Sequence, residues 1–229
     1  MIGGKRIFAN MIVDSRPELF LLPCLKSISD VVDEIVIVAN PNNANAETIN
    51  SYPKTRVAYQ PFEDFSIQRN RALLLSKQAD YILWVDADEV HFKNDLFCFC
   101  KDTIEGKHGH GVAAFYHFVK SLKTYQSIDG RQILFRNDPG IRWVGKVDEI
   151  YQPFPEPQFR TSYKYHHYGY TKPQRVVHDG WVQRAEILKT NEWYLDRDPE
   201  TILDERPVIN YKGEYPKEMD ELLHKEGIK

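Results

Sequence analysis

Hydrophobic residues in the first third of the chain occur in short runs that are separated by longer, mostly polar stretches. Four of these runs have the length of β-strands, at residues 7–13, 35–39, 56–59 and 81–85. Strands that alternate with helices indicate an open, doubly wound sheet. The pattern therefore predicts an α/β fold with a mostly parallel sheet flanked by helices.

Local signals place helices in two of the connections. Ser15-Arg16-Pro17-Glu18 matches a capping box with proline early in the first turn, so the first helix is expected to begin there. Pro23 either kinks this helix or marks the start of its main segment, which would then run to Ser29. Asp64 is expected to cap a helix that runs to about Lys77.

The pattern changes after residue 90. A longer strand at 112–119 and a shorter one at 132–136 are joined by polar, glycine-containing segments, which is typical of an antiparallel or mixed arrangement. Residues 173–195 have apolar side chains at helical spacing and are predicted to form an amphipathic helix. The remainder is rich in charge and proline, so we expect one domain over residues 1–198 and a charged C-terminal arm or tail over 199–229.

Composition and charge describe an ordinary globular domain. Of the 229 residues 42% are hydrophobic, and the formal net charge of -3 gives no global field that attracts nucleic acid or an anionic membrane. Cys24, Cys98 and Cys100 form no CxxC motif, so neither a zinc ribbon nor a disulfide scaffold is indicated. No run reaches the roughly 20 apolar residues of a membrane span, and we expect a cytoplasmic protein, free or at a membrane surface.

The clearest chemical signal follows the fourth predicted strand. An apolar run ends in Asp86 and Asp88, which are two residues apart and so point to the same side of an extended chain. Two carboxylates so placed suit Mn²⁺ or Mg²⁺ shared with substrate phosphates. The alternative is that both side chains cap the following turn. Their position at the end of a parallel strand favours the metal site, because ligands bind at that edge of such sheets.

Glycine-rich nucleotide loops are absent from the sequence. There is no Gly-x-Gly-x-x-Gly after the first strand and no Gly-x-x-x-x-Gly-Lys-Ser/Thr. A dinucleotide-dependent oxidoreductase and a P-loop protein therefore lose their main support. A metal on Asp86 and Asp88 offers another way to hold nucleotide phosphates.

Several segments together resemble the family 2 glycosyltransferases of the GT-A fold. Segments 33–38, 64–73 and 82–89 match that family in order and spacing. Three later segments are similar to its lipopolysaccharide-core glucosyltransferase-like branch, which has Gln-x-Arg-Leu-Phe-Arg, Val-His-Glu and His-x-Gly-Tyr. They are Arg131-Gln132-Ile133-Leu134-Phe135-Arg136, Val147-Asp148-Glu149 and His167-Tyr168-Gly169-Tyr170. The resemblance covers roughly residues 5–195, and the combination is more specific than any single motif.

The resemblance implies a GT-A glycosyltransferase domain over residues 1–198 with a nucleotide-sugar lying across the strand ends. The residues that would bind the nucleotide-sugar are Asp14, Asn40, Phe65, Arg69, Asp86 and Ala87. Asp86 would contact the ribose or the metal, Asp88 the metal on the diphosphate, and His167 would be a further metal or diphosphate ligand. The implied cofactor is Mn²⁺ or Mg²⁺.

Two loops depart from the family. Where the family usually has Asp-x-Gly-Ser-x-Asp after its second strand, residues 39–44 read Ala-Asn-Pro-Asn-Asn-Ala, so the acidic residue that recognises the base is missing. Asp14-Ser15-Arg16 likewise replaces the common Lys-Asn-Glu. A UDP-sugar is the favoured donor.

Asp148 and Glu149 are the candidates for the base that deprotonates the acceptor hydroxyl. Both follow an apolar, strand-like stretch at 141–147, and glycosyl transfer needs such a carboxylate across the cleft. We expect inversion at the anomeric carbon. The alternative for the two residues is a surface salt-bridge pair.

Other aromatic and histidine residues carry weaker signals. Trp143, beside the proposed base, is a candidate acceptor contact, whereas Trp181 and Trp193 at helical spacing are more typical of a core. His108 and His110 are expected in a flexible loop before a strand, because no third metal ligand is evident nearby.

Two other functions remain open at this point. A metal-dependent nucleotidyltransferase would use the same carboxylates but release pyrophosphate instead of a nucleoside diphosphate. A non-catalytic sugar-nucleotide-binding domain would keep the fold without turnover. The acceptor is a glycan, a lipid-linked sugar, a protein or a modified nucleic acid, and neither it nor the oligomeric state follows from the sequence.

Overall fold

Nine strands in the described part of the chain form one central sheet. The computed structural model describes residues 1–190, 198–204, 206–225 and 227, and only the backbone of 127–129. In the first half of the sheet four parallel strands lie in the order β3-β2-β1-β4. Their bounds are Ile7–Val13 for β1, Glu34–Ala39 for β2, Thr55–Tyr59 for β3 and Tyr81–Trp84 for β4. All four predicted strands are present.

The second half of the sheet is mixed, as predicted. It continues from β4 as β7-β6-β10-β5, and β11 pairs with β7. Only β7 and β5 run against the other seven strands, so the mostly parallel, helix-flanked sheet expected from the sequence is confirmed. The bounds of these strands are Glu89–Val90 for β5, His110–Val119 for β6, Thr124–Arg136 for β7, Gln158–Tyr170 for β10 and Ile209–Asn210 for β11. Two further strands, β8 at Arg142–Val144 and β9 at Ile150–Gln152, form a separate hairpin.

Six α-helices lie in the described part of the chain. They are α1, Leu21–Ile28; α2, Ala46–Ser51; α3, Phe65–Leu75; α4, Lys93–Glu105; α5, Gln174–Leu188; and α6, Asp220–Lys225. The cap of α3 is as predicted, since the Asp64 side chain accepts from the Ile67 backbone N–H at 2.8 Å. Neither α2 nor α4 is predicted from the sequence. Among the described residues, no helix has the length and apolar composition that a membrane span requires.

The capping-box start of the first helix is wrong, whereas the alternative, a main segment from Pro23 to Ser29, lies within two residues of the observed helix. Ser15 does not form a capping box, because its backbone N–H and hydroxyl both bond to the Asp14 carboxylate. The helix begins instead at Leu21, with Pro23 in its first turn, where proline is tolerated. Residues 15–20 are thereby free to form a loop beside the strand ends.

The predicted loop around His110 is also wrong in part. His110 is the first residue of β6 and is buried, and its Nδ1 lies 2.6 Å from the backbone oxygen of Pro155. The predicted helical residues 191–195, with Trp193, lie outside the described residues.

The described C-terminal segments pack against the sheet. β11 pairs with β7, and Met219 and Leu223 share a buried cluster with Phe20, Phe118 and Tyr168. A larger core lies between the sheet and helices α1 and α4, and another lies beneath α3 and the β8-β9 hairpin. The described residues after 198 therefore pack against the sheet at β7 and at the cluster around Phe118.

Candidate functional site

A cleft of about 570 Å³ opens where the carboxyl ends of β1, β2, β4 and β10 meet. All ten residues that the sequence predicts for the site line it: Asp14, Asn40, Phe65, Arg69, Asp86, Ala87, Asp88, Asp148, Glu149 and His167. Most of them follow or end a strand, α3 supplies two, and the turn between β8 and β9 supplies two more. The topology therefore brings the predicted set together, while the role of each residue stays a prediction.

Asp86 is held by two arginines. Its Oδ1 pairs with Arg69, and its Oδ2 accepts from Nη2 of Arg131 at 2.9 Å. Arg131 also pairs with the buried Glu89, whose Oε2 accepts from the Asp86 backbone N–H at 2.9 Å. Burial acts to raise the pKa of Asp86, but Arg131 and Arg69 outweigh it and hold that pKa well below its usual value. Burial raises the pKa of Glu89 to about 8, although Arg131 opposes the rise.

Arg69 connects Asp86 to Glu149 beneath the cleft. Its side chain is 3% exposed, its Nε donates to Glu149 Oε1 at 3.0 Å, and its Nη1 has no hydrogen-bond partner among the described residues. The guanidinium carbons of Arg69 and Arg131 lie 5.0 and 3.8 Å from the centroid of the Trp84 ring. Ion pairs and cation–π contacts thus fix the two arginines in one buried network.

Asp88 has different partners. Its Oδ2 lies 3.2 Å from Nζ of Lys172, which also donates to Glu18 at 2.6 Å, and its Oδ1 lies 3.4 Å from Nε2 of His167. Burial acts to raise the pKa of Asp88, but His167 and Lys172 together lower it. Burial acts to lower the pKa of Lys172, but Asp88 and Glu18 raise it on balance. Lys172 is therefore a cation at neutral pH.

His167 is positioned by a neighbouring strand and by an adjacent glycine. His117 on β6 lies beside it in register, the two rings stack with centroids 4.6 Å apart, and their Nδ1 atoms are separated by 2.7 Å. A Cβ atom on Gly169 would lie 2.8 Å from Cε1 of His167 and 2.9 Å from Oδ2 of Asp88. Only glycine fits at residue 169 without displacing one of these two side chains.

The two candidate bases differ in their surroundings. The Asp148 side chain is 81% exposed and forms an ion pair with Arg184 of α5, and its backbone φ is +52°. The Glu149 side chain is 8% exposed and is bound to Arg69. The surface-pair alternative describes the contact of Asp148 with Arg184, but it does not describe the buried Glu149.

Asp14 and Asn40 lie at another part of the cleft. The Asp14 carboxylate accepts from the Ser15 backbone N–H at 2.6 Å and from Nε of Arg16 at 2.5 Å. The loop after β2 is tied to this segment by the buried Asn43, whose amide donates to the Asp14 backbone oxygen at 2.5 Å. The side-chain amide of Asn43 therefore ties the loop after β2 to the end of β1.

The prediction that Trp143 contacts an acceptor is wrong. Its side chain is 3% exposed and packs edge-on against Trp84 at 4.5 Å, because this residue of β8 faces the core below α3. Trp181 is buried as well, yet it borders the cleft.

The three predicted metal ligands fit a divalent cation unequally. Asp86 already has both oxygens bound to arginines. Oδ1 of Asp88 and Nε2 of His167 are 3.4 Å apart, which is long for a hydrogen bond. The separation is closer to the distance of about 3 Å between neighbouring ligand atoms of an octahedral cation whose bonds are about 2.1 Å long. Within the described residues, no three His, Cys, Asp or Glu side chains gather around one such point. A cation would thus use Asp88 and His167 and complete its ligands from phosphate or water.

Three residues that are central to this geometry are not predicted from the sequence as site residues. They are Arg131, Lys172 and His117. A signal was present for two of them, because His117 and Arg131 are polar residues on buried strands, where an unpaired polar group is costly. Their partners could not be named, since these come from strands that are distant along the chain.

Comparison with known proteins supports the fold. No known family model matches the chain, and no curated protein matches it by sequence. Residues 1–349 of S. aureus TarS are similar in structure, with a TM-score of 0.52 and 13% identity over 86% of this chain and 69% of that one. The same protein in complex with UDP-GlcNAc gives a TM-score of 0.53 and 12% identity over 86% and 70%. These likenesses and the sheet order confirm the predicted GT-A-type fold.

A weaker likeness exists to 4-diphosphocytidyl-2C-methyl-D-erythritol synthase of Anaerococcus prevotii. The TM-score is 0.45 and the identity 19%, over 58% of this chain and 72% of the other. This level of similarity does not support a functional comparison.

Proposed function

We propose that the protein is a glycosyltransferase that moves a sugar from a nucleotide-sugar donor to an acceptor hydroxyl. The observation that carries the proposal is the convergence of all ten predicted residues on one cleft at the carboxyl edge of the sheet. A UDP-sugar is the proposed donor, in keeping with the structurally similar TarS, which binds UDP-GlcNAc. Membership of family 2 and of its lipopolysaccharide-core branch is part of the same proposal.

The charges that line the cleft favour a divalent cation. The lining has six carboxylates and five cationic side chains, so their formal charges sum to -1. The carboxylates are those of Asp14, Glu18, Asp86, Asp88, Asp148 and Glu149, and the cationic side chains are those of Arg16, Arg69, Arg131, Lys172 and Arg184. A donor diphosphate would add further negative charge to this lining. We therefore retain Mn²⁺ or Mg²⁺ as the cofactor, held by Asp88 and His167, where it would neutralise the leaving diphosphate.

Asp148 is the proposed general base. Its carboxylate is exposed at the cleft, where an acceptor arriving from solvent can reach it, whereas the Glu149 carboxylate is bound to the buried Arg69. A base that receives the acceptor proton during attack contributes about 10²–10⁴-fold to the rate. Glu149 would act by holding Arg69 against Asp86. Attack from the side of Asp148 would invert the anomeric carbon.

The test combines donor binding with product analysis. UDP, GDP, CDP and dTDP are titrated calorimetrically with and without Mn²⁺, and the matching sugar nucleotides are then incubated with candidate glycan, lipid-linked, protein and nucleic-acid acceptors. Release of a nucleoside diphosphate with sugar transfer supports the proposal. Pyrophosphate release in a parallel incubation of nucleoside triphosphates with sugar 1-phosphates would instead identify a nucleotidyltransferase. Binding without any turnover would identify a non-catalytic domain.

The assignment of the base has its own control pair. Asp148→Asn should lower kcat by about 10²-fold or more with unchanged donor affinity, because only proton transfer is lost. Asp138→Asn, which alters a surface carboxylate paired with Arg136, should leave kcat unchanged. Near-normal kcat in Asp148→Asn would reject Asp148 as the base.

A further inference from the structure

Two histidines on adjacent strands share a hydrogen bond beside Asp88. The Nδ1 atoms of His117 and His167 are 2.7 Å apart, which is within hydrogen-bond range. Two neutral imidazole rings form such a bond only when one Nδ1 carries the proton and the other accepts it. Two neutral histidines in this contact are therefore opposite tautomers.

The direction of this bond decides what His167 presents to Asp88. When Nδ1 of His167 donates, its Nε2 carries a lone pair and faces the Asp88 carboxylate across 3.4 Å. Two acceptors in that arrangement favour a cation between them. When His117 donates instead, Nε2 of His167 carries the proton, and His167 cannot bind a metal through that atom.

We propose that His117 is a positioning residue that holds His167 in the tautomer with a free Nε2, so that a divalent cation binds between His167 and Asp88. The inference rests on the metal-dependent transfer proposed above and adds a residue to it. Metal-binding histidines usually donate their other ring N–H to a fixed acceptor, and loss of such an acceptor weakens metal binding about 10–100-fold. Here the acceptor would be the imidazole of His117.

The strand register supports this role. His117 and His167 are direct partners in the parallel pairing of β6 with β10, so both side chains point to the same face. The ring of His117 stacks on His167 and packs edge-on against Tyr170 at 4.4 Å, which limits its rotation. His117 itself borders the cleft, so its Nε2 can carry a proton while its Nδ1 accepts.

The first test is Mn²⁺ affinity, measured without nucleotide from the electron paramagnetic resonance signal of free Mn²⁺. His117→Leu removes the acceptor and should weaken Mn²⁺ binding about tenfold or more. His117→Asn places an amide oxygen near the position of Nδ1 and should restore most of that affinity. Phe115→Leu is the matched control, because Phe115 lies on the same strand and packs against the His167 ring at 5.8 Å without a hydrogen bond to it.

The second test is the tautomer itself, read in the unaltered protein from ring ¹⁵N chemical shifts with Mg²⁺ bound and assigned with His167→Ala. A protonated Nδ1 on His167 supports the proposal, and a protonated Nε2 overturns it. Three results of the first test would also overturn the proposal. They are no Mn²⁺ binding at millimolar concentration, the same Mn²⁺ affinity in His117→Leu as in the unaltered protein, and a loss of affinity in Phe115→Leu as large as that in His117→Leu. If the Mn²⁺ pattern holds but no nucleoside diphosphate binds, the proposed transferase function fails and this inference stands.

Discussion

Asp86 and Asp88 are two residues apart and line the same cleft, but their surroundings differ. Asp86 is bound to two buried arginines that also hold Glu89 and Glu149. Asp88 is bound to a single lysine and faces a histidine across a gap that is long for a hydrogen bond. Two carboxylates of one short sequence motif can therefore have different partners, since Asp86 belongs to a network of two arginines and Asp88 contacts a lysine and a histidine.

The difference follows from where the partners come from. The cations around Asp86 come from the interior of α3 and from β7, both packed against the core. The partners of Asp88 are His167, near the end of β10, and Lys172, two residues before α5, and both line the cleft. Removal of Asp86 should consequently affect folding first, and removal of Asp88 should affect ligand binding first.

The largest expected effect is on stability in Asp86→Asn. This change leaves Arg69 and Arg131 with less compensating charge, and breaking a buried ion pair from one side costs about 3 kcal/mol or more. Urea unfolding measures the loss of unfolding free energy. A loss as small as that of a surface substitution would show that Asp86 is not a structural anion.

An Asp-to-Asn change at Asp88 should lower Mn²⁺ affinity more than it lowers the free energy of unfolding. Asp88→Asn keeps an oxygen that accepts from Lys172 and breaks the ion pair with one cation, where Asp86→Asn breaks pairs with two, so it should cost less unfolding free energy than Asp86→Asn. It removes the carboxylate that faces His167, so Mn²⁺ affinity should fall about tenfold or more. If both variants lose the same free energy of unfolding and Asp88→Asn keeps its Mn²⁺ affinity, Asp86 and Asp88 do not differ in role.

The pH dependence of stability should distinguish the carboxylates around Asp86. The pKa of Glu89 is raised from 4.5 to about 8, so between these values the folded protein binds a proton that the unfolded chain lacks, and stability falls as the pH rises. The lowered pKa of Asp86 acts in another window, where stability is lost as the pH falls below 3.8. In Glu89→Gln the free energy of unfolding, measured with urea, should decline less steeply between about pH 4.5 and pH 8 than in the unaltered protein. An unchanged dependence on pH would contradict this prediction.

The smallest expected effect concerns the lysine beside Asp88. Lys172→Met removes a cation that competes for the Asp88 carboxylate, so Mn²⁺ affinity should rise by about fivefold, the size of a Coulombic effect of about 1 kcal/mol. Lys225→Met, which alters an exposed pair with Glu221, is the control. A fall in Mn²⁺ affinity would show that Lys172 positions Asp88 and does not compete for it.

Much of the fold followed from local patterns, and the limits of those patterns are physical. The four parallel strands and the Asp64 cap could be predicted because each depends on a few consecutive residues. The start of α1 could not, because Ser15 bonds backward to Asp14, a competing local contact that the capping pattern does not exclude.

The sequence predicts which residues of the candidate site lie at strand ends, but it does not predict the contacts between side chains of neighbouring strands. Strand ends meet at one edge in any parallel sheet, so Asp14, Asn40 and Asp86 could be grouped from sequence. The contacts of Arg131 with Asp86 and of His117 with His167 depend on the insertion of β7 beside β4 and on the register of β6 with β10. Neither order nor register is encoded in a local pattern.

The pairing of β6 with β10 also limits how the chain can change in length over evolution. The register is regular from Lys164 to His167, with irregularities just before and just after this stretch. Insertion or deletion of one residue inside it would turn His167 to the opposite face of the sheet, whereas the irregular flanks already accommodate extra residues. Natural length variation among homologues of this chain should therefore be confined to the two flanks and spare the four residues between them.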